Sequence, residues 1–124
     1  MRTSLARDPM RITASVCGAV AMVVLGAVSA SAGQGSAEKG AAVYAAQKCA
    51  MCHSVAGKGG KLALDGAGAK LNALSAADIA EWITKPAEAA KKHGSTAKPP
   101  MRAYASLPKA DLDDLVAYMV SLKK

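Results

Sequence analysis

The sequence contains no phenylalanine, and its aromatic residues are one tryptophan and three tyrosines among 124 residues. Aromatic side chains normally supply much of the large apolar surface that a small domain buries. Their scarcity also argues against nucleic-acid binding, because no basic segment is interleaved with rings on which bases stack. The length suits one domain at most. Because such a small domain has so few aromatic rings, much of the apolar surface in its interior has to come from a group other than its own side chains.

Acidic residues are also few: the sequence has 9 Asp plus Glu against 16 Lys plus Arg, a formal net charge of +7. After residue 32 the counts are 8 and 13, and every basic residue there except Arg102 is a lysine. These lysines form either an ordinary solvated surface or a ring that docks acidic protein partners. Docking through such a lysine ring would weaken as salt screens the charges.

Only three cysteines and two histidines are present, yet three of these five residues fall together in Cys49-Ala50-Met51-Cys52-His53. The C-x-x-C-H spacing is typical of the covalent attachment of a c-type haem. In a turn of helix, residues three apart share a face, so both sulfurs reach one porphyrin edge. The pattern therefore predicts Cys49 and Cys52 as thioether anchors and His53 as the proximal iron ligand.

Three other interpretations of this motif find less support in the sequence. A thioredoxin-like redox pair needs a βαβ context with β-branched strands, and none appears nearby. A structural zinc site needs four ligands, yet beyond the motif residues 33–124 add only His93 and carboxylates. A plain disulfide between Cys49 and Cys52 leaves His53 without a role.

Residues 1–32 are predicted to be a secretory signal. Three arginines precede an uncharged stretch over residues 12–32, which ends in the small-x-small cleavage sequence Ala30-Ser31-Ala32. The stretch is also about as long as a membrane helix, so an uncleaved anchor is the alternative. Cys17 falls inside it and is expected to be removed with the signal. In both cases one domain over residues 33–124 lies on the far side of the membrane, in the periplasm.

Helical spacing and capping residues predict an all-α fold. Ser36 caps a first helix that runs to about Lys48 and delivers the cysteine motif. Ser75 and Asp78 form a capping box for a second helix that ends near Thr84. A short turn over residues 87–92 follows. The last helix starts after Pro108, and its apolar stripe consists of Leu112, Leu115, Val116, Met119 and Leu122.

Two further segments are predicted from composition and spacing. Residues 54–70 are rich in glycine and lack helical periodicity, so we expect an irregular loop that wraps the histidine side of a haem. In the second helix, Ile79, Trp82 and Ile83 recur at helical spacing and are expected to face inward. Trp82 is assigned to the core rather than to a hydrogen bond with a haem propionate.

The sixth iron ligand is predicted in the loop over residues 93–101, which Pro99 and Pro100 stiffen. Met101 ends this loop, and its thioether suits the open face of a haem iron. His93 is the competing ligand, and bis-histidine ligation would lower the redox potential relative to His/Met.

With these features in order, residues 36–122 resemble a small monohaem class I cytochrome c. The resemblance rests on Gly40 and Tyr44 in the first helix, on the cysteine motif, and on two later segments, Lys98-Pro99-Pro100-Met101-Arg102-Ala103-Tyr104 and Leu115-Val116-Ala117-Tyr118-Met119-Val120-Ser121-Leu122. It implies three to four short helices around one covalent haem c, with the terminal helices crossing. It also implies that Gly40 and Tyr44 pack on Leu115 and Tyr118.

Two positions depart from the family pattern. Leu62 stands where the family often has a proline whose carbonyl holds the haem histidine, and Arg102 rather than proline follows the ligand methionine. The resemblance otherwise implies that Cys49 and Cys52 carry the haem thioethers and that His53 and Met101 bind the iron.

The function predicted from these features is single-electron transfer in the periplasm through haem c with His/Met ligation, without enzymatic activity. The alternative is a haem subunit or membrane-anchored relay of a larger respiratory dehydrogenase or oxidase. A peroxidase-like enzyme would need an open iron face and a distal acid or base, which the sequence does not offer. The expected partners are redox proteins with acidic docking surfaces, and neither nucleic acid nor a small-molecule substrate is expected.

Overall fold

The computed structural model describes residues 35–124, so the predicted signal or anchor and Cys17 lie outside the described residues. The described chain is mostly helical, which confirms the predicted fold class. Its helices are α1 (Ala37–Ala46), α2 (Ala76–Thr84), α3 (Pro86–Lys92) and α4 (Lys109–Ser121). Shorter elements are two 3-10 turns (Cys49–Met51 and Lys70–Ala73) and three strands, β1 (His53–Val55), β2 (Lys58–Gly59) and β3 (Leu62–Ala63). Within this range no helix combines the length and the hydropathy needed to cross a membrane.

The first helix begins where predicted and ends earlier than expected. Ser36 is the N-cap, and its Oγ accepts a hydrogen bond from the Lys39 N–H at 3.3 Å. After Ala46 the helix stops, and Lys48 adopts a left-handed conformation with φ of +58°, through which a right-handed helix does not continue. The cysteine motif therefore starts its own 3-10 turn instead of extending α1.

α1 and α4 cross at Gly40, where their backbones come into contact. A Cβ at Gly40 would overlap the carbonyl oxygen of Asp114 and lie 2.6 Å from the Tyr118 Cβ, so only glycine permits this approach. One turn further along, the rings of Tyr44 and Tyr118 meet edge to face with centroids 5.6 Å apart. The predicted packing of Gly40 and Tyr44 on Tyr118 is confirmed, and Leu115 belongs to the same core as Tyr44.

The core is small for a domain of this length. Its buried hydrophobic residues are Tyr44, Leu71, Ile79, Ile83, Ala89, Leu115 and Met119. Trp82 is not among them: it is half-buried and stacks on His93 at the end of α3, with ring centroids 6.1 Å apart. The assignment of Trp82 to the core is therefore wrong, because its ring faces the α3 terminus while Ile79 and Ile83 occupy the interior.

The first part of the glycine-rich segment after the motif, up to Ala63, is ordered as a small sheet, so the prediction of an irregular loop over residues 54–70 is wrong there. Residues 64–69 form neither helix nor strand, as predicted. β1 pairs antiparallel with β2 and parallel with β3, in the order β2-β1-β3. The turn between β1 and β2 places Ala56 and Gly57 at positive φ, as tight hairpin turns require. Strands of two or three residues are too short to show the alternation by which strands are recognised in a sequence.

Asp78 joins the start of α2 to the end of α3. The predicted capping box is present: the Ser75 Oγ accepts from the Asp78 N–H and Asp78 Oδ2 accepts from the Ser75 N–H, both at 3.1 Å. Asp78 Oδ1 accepts from Lys92 Nζ at 2.6 Å. The hydrogen bond from Lys92, followed by those from Ser75, holds the pKa of the Asp78 carboxyl well below its usual value.

We expect Asp78→Asn to lower the melting temperature near neutral pH, and this difference from wild type to shrink on acidification. A carboxylate whose pKa is depressed by folding stabilises the fold fully above its unfolded pKa of about 3.9. That contribution is lost as the pH falls through the lower, folded-state pKa. Thermal melts of both proteins from about pH 7 to about pH 3 measure the difference.

Asp113→Asn is the matched control for this carboxylate. Asp113 pairs with Lys109 four residues away in the same helix, and such exposed pairs contribute little. A melting-temperature difference for Asp78→Asn that does not vary with pH would contradict the prediction, as would an equal effect of Asp113→Asn.

Candidate haem-attachment site

The two cysteines of the motif share one short turn. Within it the Met51 N–H donates to the Lys48 carbonyl at 3.1 Å and the Cys52 N–H donates to the Cys49 carbonyl at 3.2 Å. In a 3-10 turn, side chains three residues apart are eclipsed. Cys49 and Cys52 therefore project from the same side, as attachment to one porphyrin edge requires, although the turn is tighter than the α-helical one predicted.

The two thiols differ in their surroundings. Cys49 is half-buried against the core, Cys52 is exposed, and both thiols are free. Burial raises the pKa of the Cys49 thiol, and the neighbouring Cys52 raises it less. A raised pKa disfavours the thiolate of Cys49, which is the form in which a cysteine binds a metal ion.

The backbone of His53 is fixed from two sides. Its carbonyl oxygen accepts a hydrogen bond from the Gly60 N–H at 3.0 Å and another from the Tyr44 hydroxyl at 3.2 Å. A Cβ at Gly59 would collide with the same carbonyl, so the β1–β2 hairpin closes over His53 only with glycine there. The sequence places Tyr44 in helix packing and does not predict its bond to His53, because a nine-residue separation has no periodic signature.

The imidazole of His53 is suited to bind iron as a neutral ligand. Burial lowers the pKa of the ring, which favours the neutral form that metals bind, and the Leu62 backbone beside it opposes this shift more weakly. The β1–β3 register pairs His53 directly with Leu62. The Nδ1 atom is nonetheless buried without a hydrogen-bond partner among the described residues. Leucine at the position of the family's proline thus leaves the ring beside a backbone that does not hold it firmly.

The two candidate sixth ligands lie in different environments. Met101 is half-buried and packs against the core cluster, as Cys49 does. The His93 ring is stacked on Trp82, and its Nε2 lies 3.4 Å from Asp78 Oδ1. Of the other methionines in residues 35–124, Met51 is 77% exposed and Met119 is 6% exposed within α4. Met101 is therefore the methionine at the edge of the interior, and its binding to iron stays a prediction.

The residues of this site fit a haem. The motif offers two thiols on one side of a turn and a half-buried imidazole whose Nε2 makes no hydrogen bond within residues 35–124. The apolar side chains around it are only partly buried. The half-buried side chains around the core include Val55, Leu64, Leu74, Tyr104 and Leu107. A large flat apolar group would complete their burial and supply the interior surface that the missing aromatic residues do not.

Comparison with known proteins agrees with this chemistry. The family model described as Cytochrome c matches residues 37–123, a range that begins with α1, contains the cysteine motif and Met101, and includes all of α4. No curated protein and no solved structure matches the chain. Members of the matched family bind haem c covalently and transfer electrons through it. Because the match covers well over half of the sequence and every helix of the fold, the chain belongs to the cytochrome c family.

Proposed function

We propose that the protein is a periplasmic electron carrier whose haem iron is bound by His53 and Met101. The observation that carries this proposal is the contrast between Met101, half-buried against the core, and His93, which is engaged with Trp82 and Asp78. Two protein ligands leave the iron no position for a substrate, which favours a carrier over an enzyme. The proposed location rests on the sequence of residues 1–32, which has the layout of an export signal.

The chain's own residues bind and orient the cofactor. Cys49 and Cys52 fix its edge, and the hydrogen bonds to the His53 carbonyl fix the strand from which the imidazole projects. Burial lowers the pKa of that imidazole and so favours its neutral form. When bound, haem c supplies a one-electron couple between ferric and ferrous iron. A thioether ligand in apolar surroundings favours the ferrous state, so the proposed ligand pair implies a comparatively positive potential.

Met101→Ala tests the axial assignment. We expect the ferric protein to lose the far-red sulfur-to-iron absorption band because the thioether is gone. The potential should also fall by on the order of 0.1 V, within the roughly 0.8 V over which axial ligands set haem potentials. An optical redox titration of protein matured in a haem-attaching host measures both quantities.

Met51→Ala and His93→Ala are the controls for this substitution. Met51 is exposed and His93 is held by Trp82 and Asp78, so neither variant should alter the band or the potential by more than a small fraction of the Met101→Ala effect. An unchanged ferric spectrum in Met101→Ala would show that Met101 is not the ligand, and a lost band in His93→Ala would point to His93.

The proposed partner is a redox protein with an acidic docking surface. Residues 39–64 contain four lysines and no Asp or Glu. Around Cys52 the surface is apolar and cationic: Met51 is 77% exposed and Leu62 is 54% exposed, and the Leu62 N–H donates to the Cys52 carbonyl at 3.0 Å. We call this surface the attachment face; it consists of Lys48, Met51, Lys58, Lys61 and Leu62. An apolar centre with a cationic rim suits a partner that is apolar at the contact and acidic around it.

Charge reversal on the attachment face is expected to slow electron transfer to an anionic acceptor. For Lys58→Glu/Lys61→Glu, the second-order rate constant with hexacyanoferrate(III) should fall by about tenfold at low salt, because steering attraction becomes repulsion. The difference should narrow as added salt screens the charges. Stopped-flow oxidation of the reduced protein over a salt series measures it.

Lys85→Glu/Lys91→Glu provides the same change in net charge at the far end of α2 and in α3. Both lysines are exposed, and neither forms an ion pair among the described residues. If this pair of substitutions slows the reaction as much as the first, net charge rather than the attachment face governs the encounter.

A further inference from the structure

The segment that carries Met101 packs against the core through several side chains, but a single residue forms its hydrogen bonds to other elements. Among the described residues, the hydrogen bonds that join residues 96–107 to other elements all come from Tyr104. Its backbone N–H donates to the Ile83 carbonyl at 2.9 Å, and its hydroxyl donates to the Gln47 carbonyl at 3.2 Å. The Tyr104 carbonyl accepts from the Leu107 N–H at 3.1 Å, which closes the turn that leads to α4.

Both acceptors are parts of the fold that are themselves fixed. Ile83 lies in the last turn of α2 and is 5% exposed in the core. Gln47 is the C-cap of α1, where carbonyls lack helical partners, and it stands two residues before Cys49. The Tyr104 ring is half-buried against the core, with the guanidinium carbon of Arg102 5.8 Å from the ring centre. Tyr104 thus connects the methionine segment to the core on one side and to the cysteine motif on the other.

Before Met101, Pro99 and Pro100 restrict the backbone; after it, the first restraint is Tyr104, three residues away. Three residues of chain span about 10 Å at most, so fixing Tyr104 limits how far the Met101 thioether can move. The hydroxyl bond to Gln47 therefore links the position of the distal sulfur to that of the turn that holds the haem edge.

We propose that Tyr104 is the positioning residue for Met101 and that its hydroxyl bond to Gln47 keeps the thioether over the iron. The inference rests on the proposed His53/Met101 ligation and adds what holds the methionine in place. Removing the Tyr104 hydroxyl weakens the attachment of residues 96–107 to the rest of the fold, while the Tyr104 ring and its backbone hydrogen bond to Ile83 remain. With haem bound, Met101 would then be held less firmly as a ligand, and an added ligand would displace it more easily.

The test compares Tyr104→Phe with wild type in haem-loaded protein, with imidazole as the competing ligand. Loss of one such hydrogen bond is expected to tighten the apparent imidazole affinity of the ferric protein by about threefold to tenfold. Amide hydrogen exchange across residues 96–107 should quicken in the same variant, which reports the segment's anchoring independently of the iron. Tyr104→Leu, which also removes ring packing, should show a larger effect in both measurements.

Two tyrosines elsewhere in the fold serve as controls. Tyr44→Phe removes a hydroxyl bond of the same 3.2 Å length to a backbone carbonyl, but on the histidine side. Tyr118→Phe removes a hydroxyl that makes no hydrogen bond within residues 35–124. We expect imidazole affinity to change by less than about twofold in Tyr118→Phe, and exchange across residues 96–107 to stay at the wild-type rate in both controls.

The outcomes separate this inference from the function on which it rests. An unchanged imidazole affinity in Tyr104→Phe overturns it, and so does an equal rise in Tyr44→Phe, which would mark general destabilisation. If the ferric form of the wild-type protein itself lacks the sulfur-to-iron band, the proposed His53/Met101 ligation is wrong, and this inference fails with it. Tighter imidazole binding and faster exchange confined to the Tyr104 variants support the assignment.

Discussion

A Cys49→Ser/Cys52→Ser variant, produced in a haem-attaching host, is expected to carry no covalent pigment and to show no cooperative thermal transition. Both positions of attachment are removed, because serine forms no thioether with a porphyrin vinyl group. The described core has only seven buried hydrophobic residues, and a larger number of apolar side chains pack beside it half-covered. Without the haem to cover them, burial falls short of the entropy cost of ordering the chain.

Haem staining of a denaturing gel detects the covalent pigment, and circular dichroism on heating detects the folded state. Cys17→Ser is the matched control, since it removes the remaining cysteine, which lies in the predicted signal outside the described residues. Its product should be stained and folded like wild type. Pigment that survives denaturation in the double variant would show that the haem is attached elsewhere, and a sharp melt without pigment would show that the protein core suffices.

Gly40→Ala is expected to destabilise the protein by about 3 kcal/mol although it raises helix propensity. Alanine is better than glycine inside a helix by about 1 kcal/mol, so propensity alone predicts a gain. The new Cβ, however, would overlap the Asp114 carbonyl oxygen and lie 2.6 Å from the Tyr118 Cβ. Backbone cannot move aside as a flexible side chain can, so α1 and α4 have to separate, and overpacking costs of this kind reach about 3 kcal/mol.

Thermal or urea unfolding of the haem-loaded protein measures this effect, which corresponds to a fall of about 12 to 24 °C in melting temperature for a domain of this size. Gly68→Ala is the control, because a Cβ at Gly68 meets no atom within 4 Å. That variant should melt within a few degrees of wild type. If Gly40→Ala melts like Gly68→Ala, the two helices adjust to the extra carbon and Gly40 is not required for their crossing.

The elements with strong local signals could be predicted from the sequence. The Ser36 cap, the Ser75 and Asp78 capping box and the start of α4 after Pro108 are all found as expected, because each depends on residues within one turn of one another. The sequence does not predict that α1 ends at Ala46, because nothing in a lysine side chain indicates the left-handed conformation of Lys48. Nor does it predict the position of Trp82, because helical spacing identifies a face but not the neighbour that covers it.

In the candidate site, too, local features could be predicted and long-range contacts could not. The motif identifies the two thiols and the histidine because all three lie within five consecutive residues at a characteristic spacing. The contacts that hold them are long-range: Tyr44 reaches His53 from α1, Tyr104 reaches Gln47 across 57 residues, and the Ser36 N–H donates to Asp114 Oδ1 at 2.6 Å. No local pattern encodes such pairs, because each depends on how separate elements pack.

The crossing of α1 and α4 also bears on how the domain folds. Most of the described sequence lies between these two helices, so their contact at Gly40 closes a long loop. Closing such a loop costs entropy before the contact stabilises the fold, and contacts between residues far apart in sequence slow folding. We therefore expect the docking of α1 on α4, rather than the formation of either helix, to limit the folding rate.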